Sequence, residues 1–264
     1  MFLHGLFGKG QSFQFVAKGK PIQRKFKACH MVDMRNHGKS EWHPSMDYES
    51  LARDVHAYMQ SVGIGDGNRN CKVTLVGHSL GAKAAMAFSC MFPHLVNRLV
   101  SLDASPVDRS DYPHLNQSST RMIEEAIALG SLEDMPLESA IRKIKSQVKD
   151  EVLQTALLFN LNPDGSLQVN LEAISKNQDN IYGFPEFEKT FEGRCLMLNG
   201  AESFQKEILN DASFYNKFFP RVTNDDIVML EKAGHGLHFE HPIKVRKLIH
   251  AFLLQKDDDD ETLI

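Results

Sequence analysis

Val73-Thr74-Leu75-Val76 is a β-branched, apolar run that ends on Gly77-His78-Ser79-Leu80-Gly81. An alanine-rich run, Ala82-Lys83-Ala84-Ala85-Met86-Ala87-Phe88, follows at once. A strand that becomes a helix within one or two residues forces the serine at the turn into a strained backbone conformation, with φ above zero, at about 1–3 kcal/mol. The residues two positions either side must be glycine, because side chains there would run into neighbouring strands or the helix. The same turn lifts the Ser79 hydroxyl above the sheet and aims the first helical amides at one point, where the helix dipole favours negative charge. A serine so placed reads as a nucleophile rather than an ordinary turn residue.

Such a unit needs a parallel sheet around it. The chain has 264 residues, 42% of them hydrophobic, enough for one large α/β core with an insertion. Apolar, β-rich runs at 27–34, 72–77, 98–103, 194–200 and 226–233 alternate with helical segments, which predicts a mostly parallel sheet with crossover helices. Asp47 is placed to cap a helix whose Leu51, Val55, Tyr58, Met59 and Val62 form one stripe, ended by Gly63. The helix after Ser79 should stop before Pro93. Pro242 should open the last helix, with Val245, Leu248, Ile249, Phe252 and Leu253 on one face.

Residues 106–191 break the alternation. Helical periodicity runs through Met122, Ile123, Ala126 and Ile127, and then from Leu137 through Ile141, Ile144 and Val148 to Val152, Leu153, Ala156 and Leu157. Asn162-Pro163-Asp164-Gly165 marks a turn inside it. The segment reads as a helical cap over the serine, inserted between two parts of a core at 1–105 and 192–255. An acidic, solvated tail at 256–264 completes the division.

Bulk properties exclude several functions. A net charge of -4 with scattered Lys and Arg argues against a nucleic-acid surface. No apolar run approaches the roughly 20 residues of a membrane span, so a soluble protein is expected. Cys29, Cys71, Cys90 and Cys195 lack paired metal spacing and read as reduced thiols of an intracellular protein. His235, His238 and His241 cluster in sequence, but without a cysteine or carboxylate set; neither a metal nor any other cofactor is expected. The chain starts on Met1-Phe2-Leu3, which reads as the last fragment of a strand with no signal or transit segment before it. Earlier strands are therefore expected to be missing.

The strand–turn–helix, the alternating core and the inserted helices resemble the α/β-hydrolases. A serine hydroxyl needs a base within hydrogen-bond reach. The resemblance implies that the base lies on the loop after the last strand, where Gly234-His235-Gly236 supplies His235, with His238 as a fallback. The commonest position for the orienting acid, three residues after the strand ending at Gly200, is Ser203. Glu202 is adjacent; the other position used in this fold is the end of the preceding strand, where Asp103 stands. Asp103 is preferred and Glu202 stays as the alternative; the order Ser79, Asp103, His235 is then nucleophile, acid, base. His4-Gly5-Leu6-Phe7-Gly8 reads as an oxyanion loop whose Leu6 amide joins that of Leu80, each such donor being worth about 3–4 kcal/mol in the transition state. Phe7 and His78 are expected against substrate, and Phe2, Phe7 and apolar cap residues suggest a hydrophobic acyl chain. Asp33 and Arg35 are expected as a buried ion pair that organises the loops behind the site.

The match is narrower than the superfamily. Leu3-His4-Gly5-Leu6-Phe7-Gly8, the run from Asp33 through Arg35-Asn36-His37-Gly38 to Ser40, Gly77-His78-Ser79-Leu80-Gly81 and Leu102-Asp103-Ala104-Ser105-Pro106 together resemble the YbfF-like acyl esterases and the mitochondrial abhydrolase-domain-eleven proteins. Asn160-Leu161, Asp164-Gly165, Val169-Asn170-Leu171 and Gly234-His235-Gly236-Leu237-His238-Phe239-Glu240 extend the likeness over nearly the whole chain. It implies metal-free hydrolysis of small-molecule carboxylic esters or thioesters through an acyl-serine, in the cytoplasm or a mitochondrion. A C–C hydrolase or lyase on the same scaffold, or a non-catalytic receptor that retains the fold, is the alternative. One departure stands out: where the family usually has Gly-Asn-Ser, this chain has Ala201-Glu202-Ser203.

Overall fold

The structure, a computed structural model, describes residues 1–65 and 72–255; Cys71 and the acidic tail lie outside the described residues. Its strands are β1 (Phe2–Leu3), β2 (Met31–Val32), β3 (Val73–His78), β4 (Val96–Leu102), β5 (Arg194–Gly200) and β6 (Ile227–Leu230). They pair in the order β2-β1-β3-β4-β5-β6, each pair parallel. β3, β4 and β5 lie inside the sheet, covered on both faces, which is why they read as continuous apolar runs. The runs at 27–34 and 226–233 shorten to two and four residues. Both are edge strands with a partner on one side only, and β1 offers β2 just two residues to pair with.

The helices are α1 (Gln14–Ala17), α2 (Lys20–Lys25), α3 (Tyr48–Ser61), α4 (Leu80–Met91), α5 (Gln117–Ala128), α6 (Leu137–Gln147), α7 (Glu151–Phe159), α8 (Leu171–Lys176), α9 (Gln178–Tyr182), α10 (Leu237–Glu240) and α11 (Pro242–Leu254). The Asp47 side chain accepts the Ser50 N–H at 2.7 Å and caps α3, and Pro242 opens α11. Strand side chains alternate between two cores. Leu75, Leu99 and Met197 face α3 and α4, while Val76, Val100 and Leu198 face α1 and α11.

The chain between β4 and β5 forms α5 to α9. Its buried Ile123, Ile144, Leu153 and Leu157 belong to the same hydrophobic cluster as the α3–α4 side of the sheet. Hydrogen bonds stitch it to the core as well: the Gly38 N–H donates to Gln168 O at 2.7 Å, and the Tyr48 hydroxyl to Ile181 O at 2.7 Å.

Register sets the site. His78 lies beside Leu102, Leu102 beside Leu198, and Gly200 beside Leu230. The residues that follow β3, β4, β5 and β6 therefore emerge together at the carboxyl edge of the sheet, where open α/β sheets bind ligands.

Candidate active site

Ser79 caps α4 with φ 51° and ψ -117°. Its N–H donates to Leu102 O at 3.0 Å, which ties the turn to the end of β4. A Cβ on Gly77 would lie 2.3 Å from Gly81 O, and one on Gly81 would lie 2.3 Å from Leu3 O. Both contacts are with backbone, so neither can yield. The glycines expected around the serine are required by these two approaches.

The His235 imidazole bridges the serine and an acid. Its Nε2 is 3.0 Å from Ser79 Oγ and its Nδ1 is 2.6 Å from Asp103 Oδ2. The network assigns the proton to Nδ1, donated to the carboxylate, and leaves Nε2 to accept from the hydroxyl. Asp103 is fully buried, with φ 54°. Two further donors fix its carboxylate: the Gly200 N–H on Oδ1 at 2.8 Å and the Ser203 hydroxyl on Oδ2 at 2.6 Å. Ser203, at the commonest position for an acid, instead donates its hydroxyl to the carboxylate that follows β4. Glu202 is exposed, with its N–H donated to Ala233 O. Sequence reasoning missed Gln205, a buried amide 3.4 Å from both His235 Nδ1 and Asp103 O that accepts from Arg109 Nη1 at 3.3 Å. Nothing in its sequence surroundings signals that role.

Two expected substrate contacts are placed elsewhere. The buried His78 donates Nε2–H to His235 O at 2.8 Å, and burial pushes its pKa down to about 3. It stands behind the loop of His235 as a neutral ring. The Phe7 ring is packed into the core at 1% exposure. Phe204, not singled out by its sequence, is instead 37% exposed, with its ring centroid 4.8 Å from that of His235.

His238 is buried, with its ring stacked on Phe13 at 4.9 Å, and His241 donates to Lys232 O at 2.8 Å. Among the described residues no group of three His, Cys, Asp or Glu is placed to hold a metal ion. The expected Asp33–Arg35 pair does not form either. Arg35 grips Asp54 with two hydrogen bonds of 2.6 and 2.8 Å. Asp33 accepts the N–H groups of Gly10 and Lys39 at 2.7 and 2.9 Å. The spacing of Asp33 and Arg35 puts both in one turn, but the acceptor fitted to the guanidinium fork comes from α3.

The loop from His4 to Gly8 is held by neutral imidazoles. His4 donates Nδ1–H to Gly5 O at 2.9 Å and accepts the Met34 N–H on Nε2 at 3.0 Å. His37 donates Nδ1–H to Arg35 O at 3.0 Å and accepts the Phe7 N–H on Nε2 at 3.2 Å. Burial lowers their pKa values to about 3 and about 4. The Phe7 N–H is thus taken by His37, and Leu6 directly precedes it on the loop. The amide of Leu80, first residue of α4, has no intrahelical acceptor. A cavity of about 780 Å³ opens beside the insertion, between Trp42, Ile127, Leu132 and Leu171, but none of Ser79, Asp103 and His235 lines it.

Comparison with known proteins places the chain in a family. The family described as the alpha/beta hydrolase fold matches residues 1–137. The chain is 34% identical over 260 residues to the sn-1-specific diacylglycerol lipase ABHD11 of Danio rerio, covering 96% of this chain and 77% of that protein. It is 26% identical to Esterase YbfF of Escherichia coli, across 96% of this chain and 92% of that one. Among solved structures, a marine microorganism esterase superposes with a TM-score of 0.80 at 25% identity, covering 95% of this chain and 93% of its own. The chain therefore belongs to the α/β-hydrolase fold family, and it is a carboxylic ester hydrolase.

Proposed function

We propose that Ser79 is the nucleophile, His235 the base and Asp103 the orienting acid of an ester hydrolysis that passes through an acyl-enzyme. The observation that carries this reading is the single imidazole spanning Ser79 Oγ and Asp103 Oδ2 at 3.0 and 2.6 Å. His235 Nε2 takes the hydroxyl proton as Oγ attacks the substrate carbonyl. The N–H groups of Leu6 and Leu80 stabilise the oxyanion, and Asp103 stabilises the imidazolium. The imidazolium then gives its proton to the leaving alcohol, or thiol in a thioester. Water, deprotonated by His235, attacks the acyl carbonyl; Oγ departs with the proton and the carboxylic acid is released.

The insertion at 106–191 serves as the cap over this edge, and Phe204 offers an apolar wall beside His235. A glycerolipid acyl ester is the substrate class suggested by the relatives named as diacylglycerol lipases. An intracellular setting, cytoplasmic or mitochondrial, follows from the same resemblance. Among the described residues no helix is long and apolar enough to cross a membrane. A receptor without catalysis, or a C–C hydrolase or lyase, is not favoured by relatives named lipase and esterase.

A fluorophosphonate should form one adduct, on Ser79, as read by peptide mass mapping. Ser79→Ala should reduce turnover of a short p-nitrophenyl ester by about 10⁴–10⁶-fold. An adduct elsewhere, or an undiminished Ser79→Ala variant, would sink the assignment. Turnover of diacylglycerol in mixed micelles, set against the short ester, tests the substrate class.

A further inference from the structure

Asn160-Leu161 and Val169-Asn170-Leu171, both in the insertion, have no part in the chemistry above, yet both reach core loops. Asn160 ends α7 and is fully buried. One N–H of its amide donates to Ala156 O in its own helix at 2.8 Å, which fixes the side chain. The other donates to Phe7 O at 2.7 Å, a contact spanning 153 residues of chain. Phe7 has φ 58°, a conformation that a residue with a Cβ keeps only when its surroundings impose it. Its N–H is held by His37 Nε2 and its ring by the core. Asn160 is thus the insertion's grip on the residue that directly follows Leu6.

We propose that Asn160 is a positioning residue for the oxyanion hole: through the Phe7 carbonyl, the docked insertion sets the Leu6 amide. The inference rests on the hydrolase reading above and adds to it that the hole is complete only with the insertion in place. Preorganised donors must be held within about 0.5 Å of the productive geometry, so releasing Phe7 removes stabilisation that exists only in the transition state. Asn170 provides the contrast. Its N–H and side-chain amide bond Asn36 O and Oδ1 at 2.9 and 3.1 Å, a second stitch between insertion and core that does not touch Phe7.

The test compares the full chain with Asn160→Ala, Asn160→Leu and Asn170→Ala, each measured per titrated active site. Asn160→Leu nearly preserves the side-chain shape and serves if the alanine variant fails to fold. For a p-nitrophenyl ester, kcat of the Asn160 variants should fall about 10- to 100-fold while KM stays within roughly threefold. The Ki of a trifluoromethyl ketone, whose adduct with Ser79 places an oxyanion in the hole, should weaken by the same factor as kcat/KM falls. Asn170→Ala should keep kcat within roughly threefold of wild type. Undiminished kcat in the Asn160 variants, a lowered kcat with unchanged Ki, or an equal loss in Asn170→Ala would each overturn the proposal. A wild-type chain with neither ester turnover nor a Ser79 adduct would bring down the hydrolase reading itself, and this inference with it.

Discussion

Asp103 and Glu202 both stand near the carboxyl edge of the sheet, and their surroundings divide them. Asp103 is buried with three donors on its carboxylate, including His235 at 2.6 Å, whereas Glu202 is exposed. Asp103→Asn should therefore cost about 10³–10⁴ in kcat by leaving His235 in the wrong tautomer, with Glu202→Gln within roughly threefold of wild type, as steady-state kinetics would read. If Glu202→Gln is the crippling change, the acid is misassigned. Ser79 and the glycines around its turn are legible in sequence because a local steric demand fixes them, whereas His235 is legible only through the resemblance, which implies a base on the loop after the last strand. Asp103 is legible as a carboxylate closing an apolar strand, but choosing it over Glu202 requires the register of β4 on β5. Asn160, Gln205 and the Asp54 partner of Arg35 are not legible: each acts on a residue far away in sequence, and a buried amide leaves no periodic signal. Phe7 and His78 mislead for the opposite reason. They adjoin functional positions in sequence, while their rings turn into the interior.

Among the elements, α4 joins chemistry to architecture. Its first residue follows Ser79, and its Lys83 reaches the insertion. Lys83 Nζ, buried, donates to Val107 O, Tyr182 O and Gly183 O at 2.9, 3.1 and 2.9 Å. Three carbonyls meet the three hydrogens of an ammonium. Burial, followed by the nearby Arg109, lowers the Lys83 pKa well below its usual value, and the three hydrogen bonds oppose that desolvation. Val107 lies at the start of the insertion, and Tyr182 and Gly183 towards its end. One side chain therefore ties both crossings to the helix behind Ser79. Lys83→Met would leave buried carbonyls without donors and should destabilise the protein by about 3–5 kcal/mol, as measured by urea unfolding. Limited proteolysis should cut first within 106–191. Unchanged stability, or first cuts in the core, would show that Lys83 does not hold the insertion. The helical periodicity of this stretch announces helices, and α5, α6 and α7 follow it closely. The tether escapes notice, since a lysine among alanines reads as a solvated side chain until the helix is buried on every side.

At the scale of the whole molecule, the buried histidines tie stability to pH. His4, His37 and His78 are pushed by burial to about 3, about 4 and about 3, and His238 well below its usual value for the same reason. In the unfolded chain each would titrate near pH 6.5. A base whose folded pKa is depressed adds stability above its unfolded pKa, and that stability drains away as pH falls towards the folded one. The relevant window is therefore from about pH 6.5 down to about 4. Near pH 5 the unfolded chain binds about three protons, at His4, His37 and His78, that the folded chain refuses, a slope of about 4 kcal/mol per pH unit to which His238 adds in the same direction. Against a total stability of about 5–15 kcal/mol, that slope unfolds the protein within one to three units below pH 6.5. The urea midpoint should accordingly drop most steeply between pH 6 and 5, and His37→Gln should reduce the slope by about 1.4 kcal/mol per unit. A midpoint that stays level down to pH 5 would mean that these rings are solvated after all. The rings cannot simply accept the proton in place. His4 and His37 each donate with one nitrogen and accept a backbone N–H with the other, so protonation abolishes an acceptor on either side of Leu6. Ester turnover should thus fall with the folded fraction on the acid side.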